Sequence, residues 1–249
     1  MWRHLRNIGK QYLQNVWVPH ALNESQRAKR VESCSRLLQQ YHENNFLLQL
    51  ITVDETWVYW ENEGTFNNRS WRASGDIPET ALRKNISSQK HLATIFWDRK
   101  GVILMDVLPR NQTMTAERYC NQLDHLVEAV QQKRRRLLGN GFHNIHFLHD
   151  NARPHTAAIT KDKLATIGFR VVDHPPYSPD LAPSDFYLFA PLKEHLSGQN
   201  FDNEVDVSRA LCAFFDGKDE SFFRCGIQKL PGRWQKCIDN AGQYFEHLY

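Results

Sequence analysis

No stretch of this 249-residue sequence is apolar for long enough to cross a bilayer. Its first ten residues, Met1 to Lys10, lack the apolar core of a signal peptide. The five cysteines (Cys34, Cys120, Cys212, Cys225 and Cys237) are odd in number, and none sits in a Cys-x-x-Cys pair. That argues against a thiolate zinc site and a disulfide framework, and for a reducing intracellular compartment. A net charge of +3 is too small to argue for a nucleic-acid partner by itself. Internal repeats and low-complexity tracts are also missing. What remains is a chain with 41% hydrophobic residues, enough for one sizeable domain.

The patterning within that domain is legible. "NVWVPHAL" reads as extended, because Pro19 pushes Val18 out of the helical region. Asn23 with Gln26 forms a capping box for an amphipathic helix over 24–43. "LLQLITVDETWVYW" is rich in β-branched and aromatic residues and reads as a strand carrying Asp54. Residues 61–90 are polar and read as a long loop, with a short strand around Phe66 to Trp71. "HLATIFWD" and "GVILMDVL" then form a hairpin about Arg99-Lys100-Gly101.

Thr115 caps a second helix whose buried stripe is Tyr119, Leu123, Leu126, Val127 and Val130, closed by Gly139. Within it, Lys133-Arg134-Arg135-Arg136 reads as a solvated helix end, with a nuclear import signal as the alternative. "NIHFLHD" is a strand, 154–167 a helix opened by Pro154, and "FRVVDH" a strand. Helices follow near 184–196, 203–216, 219–229 and 232–247. Three strands as a meander, then alternating helix and strand, is the order of an RNase H-like α/β fold, a mixed sheet flanked by helices.

The acids carry the chemistry. Asp54 interrupts an apolar strand and Asp150 follows the fourth strand; each is costly to bury alone. If the first and fourth strands are neighbours, these carboxylates lie side by side and repel unless a cation joins them. A hard divalent ion, Mg²⁺ or Mn²⁺, suits oxygen ligands. Asp180 and Asp185 are the candidates for a third ligand. Asp185, at a helix start, is favoured, and Asp180 reads as a turn or cap residue. Such a cluster can hold two ions roughly 3.5–4 Å apart. His143 and His146 point to opposite faces of a strand and do not form a metal pair.

"VDETWV", "HDNARPHTA" and "HPPYSPDLAPSDFYLF" resemble the catalytic motifs of the mariner transposases. The resemblance runs from "WVPH" to "WQKCIDNAGQYF", nearly the whole chain. That family has three aspartates with thirty-four residues between the second and third, which is the spacing of Asp150 and Asp185 here. The resemblance therefore implies a DDE/D catalytic core in which Asp54, Asp150 and Asp185 are catalytic and hold two Mg²⁺ or Mn²⁺ ions. It implies a nuclear enzyme that cleaves double-stranded DNA and transfers the freed strand to a TA dinucleotide, with no membrane and no small-molecule substrate.

The resemblance further implies that Asn151, Arg153 and His155 face DNA phosphates or order their loop, while His149 reads as a packing histidine. Arg69, Arg72, Arg83, Lys84, Lys90, Arg99, Lys100 and Arg110 would extend the DNA path. Trp17, Val18, Pro19 and His20 match the family's interdomain linker, which packs on a clamp loop of the partner subunit in a homodimer. Residues 61–90, with Trp71 as anchor, would be that loop. Ala21 stands where the family usually has Glu, which puts a salt bridge there in doubt.

Residues 1–22 would be this linker plus the end of a helix-turn-helix, and 23–249 the catalytic domain. The rest of the family's inverted-repeat-binding domain is expected to be missing. The chain also resembles the transposase-derived half of a SET–mariner fusion; without a SET-like segment, no methyltransferase activity is expected. The competing expectation is a catalytically silent remnant that binds DNA or dimerises.

Overall fold

A computed structural model describes residues 21–60, 90–110, 112–139 and 141–245 of the chain. The linker residues Trp17, Val18, Pro19 and His20, the clamp-loop anchor Trp71, and the short strand expected at 66–71 lie outside the described residues.

Helix α1 (Glu24–Asn44) begins with the expected capping box: Asn23 accepts from the Gln26 N–H, and the Gln26 side chain accepts from the Asn23 N–H. Strand β1 (Leu50–Tyr59) pairs antiparallel with β2 (Lys90–Asp98), which turns at Arg99-Lys100 into antiparallel β3 (Gly101–Val107). Helix α2 (Ala116–Lys133), capped by Thr115, leads to β4 (His146–Leu148). Helix α3 (Ala158–Ile167), ended by Gly168 at φ 90°, leads to the two-residue edge strand β5 (Arg170–Val171). The sheet order is β3-β2-β1-β4-β5, with β4 and β5 parallel to β1. Helices α4 (Phe189–Leu196), α5 (Glu204–Asp216), α6 (Glu220–Gln228) and α7 (Leu230–Asp239) complete the chain.

Strand alternation sorts the core into two layers. Ile51, Val53, Phe96 and Phe147 face α2 and α3, packing on Tyr119, Leu123, Leu126 and Leu164. Leu50, Val58, Ile95, Trp97 and Leu148 face α1 and the carboxyl-terminal helices, packing on Leu188, Leu192 and Trp234. This mixed sheet covered on both faces is the expected RNase H-like architecture.

Several boundaries differ from the sequence expectation. The second helix stops at Lys133, and Gly139 closes only a separate turn, Arg135–Leu138. The break has a cause. Arg134 donates from Nε to Asp98 Oδ2 at 2.7 Å, and Lys133 donates to the Ile103 carbonyl at 2.9 Å. Half of the basic run is thus a clasp on β2 and β3; Arg134 is half-buried, while Lys133, Arg135 and Arg136 are exposed. The helix expected over 154–167 breaks at Ala157, whose ψ of 148° is extended. The last helix ends at Asp239 rather than 247, with Ala241 and Gly242 both at positive φ.

That carboxyl-terminal turn matters. A Cβ on Gly242 would lie 2.2 Å from the Arg27 carbonyl oxygen, so only glycine allows this approach to α1. The Gly242 carbonyl accepts from Arg30 Nε at 2.8 Å. Arg30 is fully buried and grips both oxygens of Asp180 (2.8 and 2.5 Å) while donating to Ser178 Oγ at 2.6 Å. Arg233 adds a bond to the Asp180 carbonyl oxygen at 2.8 Å. Asp180 is therefore a structural anchor, holding the loop before Asp185 to α1 and α7.

Candidate active site

The parallel pairing of β1 and β4 places the first two acids. Thr52 sits beside Leu148, and continuing that register two residues sets Asp54 beside Asp150. Asp54 shares the face of Leu50, because residues two apart on a strand point the same way, and Asp150 lies just past the end of β4. Neighbouring strands lie about 4.8 Å apart, so the carboxylates are close without any loop needing to bring them together.

Asp185 comes from the same face. It lies in a π-type turn, Ser184–Leu188, that packs against β1 and runs into α4. Such turns are rare and recur at functional sites. Ser184 is fully buried and its Oγ accepts from Trp97 Nε1 at 3.0 Å, which pins the turn to β2.

The electrostatics report the crowding. Burial pushes the Asp54 carboxyl well above the usual carboxylate range, and Asp185, Glu55 and Asp150 push it further. Asp185 is pushed up to about 6, by burial first and also by Asp150, with Lys193 pulling it back. Asp185 and Asp54 are thus coupled, and their crowding favours the protonated form of each.

Asp150 behaves oppositely. Burial works to raise it, but a hydrogen bond and the charge of His155 outweigh burial and hold it below the usual range. His155 Nδ1 donates to Asp150 Oδ1 at 2.6 Å, and the Ala152 N–H donates to the same oxygen at 2.9 Å. The other ring nitrogen, Nε2, donates to Glu55 Oε1 at 3.2 Å. Burial opposes the charge on this imidazole, yet its two carboxylate partners raise it to about 9. Glu55 reaches it because it lies on the opposite face of β1 from Asp54, with Ile51 and Val53.

Tyr119 and His149 complete this layer. Tyr119 packs tilted against His155 (centroids 4.2 Å) and His149 stacks on it (5.1 Å), and Tyr119 Oη lies 3.1 Å from His149 Nδ1. Burial and the His155 charge press His149 down to about 3, so it is a neutral packing group, as its sequence position suggested.

The other expected contacts divide. His155 does not face outward to DNA: it is 2% exposed and spends both nitrogens on carboxylates. It orders the loop instead, the alternative its position allowed. Asn151 also orders the loop, donating to the His174 carbonyl at 2.7 Å. Arg153 is exposed beside the site. Arg99 and Lys100 stand elsewhere. Their turn follows Asp98, which pairs with Ile51 at the start of β1, whereas Asp54 lies mid-strand and Asp150 past the carboxyl end of β4. The turn therefore lies toward the start of β1, and neither residue lines the cavity that holds Asp150 and Asp185. Arg99 instead lies 4.0 Å from Glu220.

Sequence reading missed Glu55 as a partner of His155. The signal was present: adjacent acids on a strand point to opposite faces, so the second acid needed its own partner.

The three carboxylates are gathered but not closed into a ligand shell; among the described residues no group of three acidic, His or Cys side chains is in metal-holding geometry. The donor set still fits a hard divalent cation. It is all oxygen, and burial together with neighbouring carboxylates disfavours the charged forms of Asp54 and Asp185.

An RNase H-like sheet with one aspartate on β1, one just past β4 and a third from the turn packed on β1 defines the DDE/D class of nucleic-acid-processing enzymes. The comparisons with known proteins narrow that class. A family described as transposase (partial DDE domain) matches residues 58–139. The chain is 39% identical over 242 residues to the mariner Mos1 transposase of Drosophila mauritiana, covering 97% of this chain and 69% of that protein. It is 35% identical over 244 residues to the histone-lysine N-methyltransferase SETMAR of Homo sapiens, covering 98% of this chain and 35% of that protein.

Among solved structures, a pre-cleavage Mos1 transpososome superposes with a TM-score of 0.90 at 39% identity, covering 98% of this chain and 71% of that one. Mos1 paired-end complexes with Mn and with Mg each superpose at 0.89, with the same identity and coverage. The chain belongs to the mariner transposase family and carries its DDE catalytic domain.

Proposed function

We propose that this chain is the catalytic core of a DNA transposase, cleaving and rejoining phosphodiester bonds in double-stranded DNA with two Mg²⁺ or Mn²⁺ ions. One observation carries the reading: Asp54, Asp150 and Asp185, far apart in sequence, come near enough to act on one another, and burial with that mutual repulsion raises Asp54 and Asp185. Relatives solved as DNA-end complexes with Mn and Mg support both the substrate and the ions.

Asp54, Asp150 and Asp185 would hold the ions. Bound there, divalent ions lower the pKa of an attacking water or hydroxyl and offset charge on the phosphate oxygens. The protein's own part is placement. Asp54 is fixed by the strand, Asp185 by the turn pinned to Trp97, and Asp150 by His155 and the Ala152 N–H. Both of those donors use Oδ1, which leaves Asp150 Oδ2 to face a ligand. His155 is a positioning residue, kept charged by Asp150 itself and by Glu55 on its other nitrogen.

We further infer that the enzyme works in the nucleus as a homodimer, the paired-end complexes of its relatives being the support for two subunits. Recognition of transposon ends would fall to a helix-turn-helix region outside residues 23–249. The test is nicking of supercoiled plasmid with Mg²⁺ or Mn²⁺. Wild type should nick, and Asp150→Asn should not while remaining folded. Equal nicking by both would overturn the site assignment. A folded wild type that binds DNA without nicking would favour the silent-remnant reading.

A further inference from the structure

A cavity of about 640 Å³ opens where α1, the Arg135–Leu138 turn and the β4–β5 edge meet. Its wall carries three guanidiniums, Arg36, Arg136 and Arg170, with His146 and the Asn144 amide among them. Arg36 is paired with Asp173. Arg136 and Arg170 are exposed, and among the described residues no carboxylate pairs with either. The local field is positive enough to act on a neighbour: burial, and then the Arg170 charge, press the His146 imidazole below its ordinary value.

This cavity is separate from the acid site but joined to it. His146 begins β4, beside Arg170, and Asp150 follows its end. Four residues of strand at about 3.3 Å each make a separation of roughly 13 Å. Val171, Val172 and Asp173 are shared with a second cavity of about 470 Å³, whose wall includes Asp150 and His155. The β5 edge therefore runs from the carboxylates to the unpaired guanidiniums. A DNA strand rises about 3.4 Å per nucleotide, so that span is roughly four nucleotides.

We propose that this cavity is a second DNA contact, in which Arg136 and Arg170 take phosphates of the duplex whose scissile bond lies at the carboxylates. The proposal rests on the DNA-cleavage reading above. Guanidinium forks match phosphate oxygens two at a time, and two of them without counter-charges are set to exchange solvent ions for a polyanion. Continuity with the acid site along β5 selects DNA over an unrelated acidic partner.

The test compares wild type with Arg136→Gln/Arg170→Gln in binding a random-sequence duplex across a salt series. A charge-matched control, Arg209→Gln/Arg224→Gln, removes two exposed cations from α5 and α6. Binding by the cavity variant should weaken at least about tenfold at low salt, and the slope of log K against log salt should fall by roughly 2. The control should match wild type in both. A cavity variant that also matches wild type overturns the proposal, including the case where the cavity takes some other anion.

Nicking is measured alongside. Wild type that nicks while the variant's slope is unchanged refutes the cavity alone. Wild type that does not nick while the variant's slope falls refutes the cleavage reading and leaves the DNA contact.

Discussion

Removing one partner of the Arg30–Asp180 pair should destabilise the protein more than any other single polar change described above. Both side chains are fully buried, and Arg30 makes four hydrogen bonds: two to Asp180, one to Ser178 and one to the Gly242 carbonyl. Asp180→Leu leaves the guanidinium buried against Ser178 and Gly242 with no carboxylate, and Arg30→Met leaves the carboxylate without its cation. Breaking such a pair from one side costs about 3–5 kcal/mol. A protein of this size shifts roughly 2–4 °C in Tm per kcal/mol, so each single change should lower Tm by about 6–20 °C. The Arg30→Met/Asp180→Leu double variant should lose less than the sum of the singles, because neither charge is then stranded. Urea and thermal unfolding followed by circular dichroism read all four corners of this cycle. Single changes costing under about 1 kcal/mol, or strict additivity, would refute the reasoning.

Other consequences can be measured in the same preparations. Ser184→Ala strands the Trp97 N–H and should cost about 1–3 kcal/mol; because Ser184 opens the turn carrying Asp185, nicking should fall as well, and unimpaired nicking would detach the turn from catalysis. His155, raised to about 9 from 6.5, supplies stability that is complete below pH 6.5 and lost as pH rises through 9, up to about 3 kcal/mol; His155→Gln should flatten that alkaline limb, and an identical limb would show that another group titrates. For Asp185, raised to about 6, the metal-free chain should lose stability as pH rises from the ordinary carboxylate value toward 6, a slope that Asp185→Asn should remove. Mg²⁺ or Mn²⁺ at about a hundred times its dissociation constant should add about 2.7 kcal/mol to wild type and little to Asp54→Asn; equal gains would place the ions elsewhere.

Much of this was legible in the sequence, for reasons that differ by element. Asn23 with Gln26 and Thr115 declared helix starts because a cap is local chemistry. Asp54, inside an apolar strand, declared itself because an unpartnered buried charge is improbable. The breaks at Arg134 and Ala157 were hidden. Each is set by a tertiary demand: the reach of Arg134 to Asp98, and the loop that carries His155 under Asp150. Periodicity records neither. His155 was legible as a chemical residue but not in its direction, since the choice between solvent and Glu55 depends on which face of β1 the second acid takes. Arg99 and Lys100 were legible as surface cations but not in their distance from the acids, since antiparallel pairing sets their turn beside the start of β1.

The parallel junction of β1 with β4 also orders events in time. The β1–β2–β3 meander can form from neighbouring segments, but Asp150 meets Asp54 only after the whole stretch between them has closed, a slow long-range step. Asp185 arrives later still, from the carboxyl-terminal side. A chain still emerging from the ribosome thus holds one acid, then two, and gathers all three only when the fold is nearly complete.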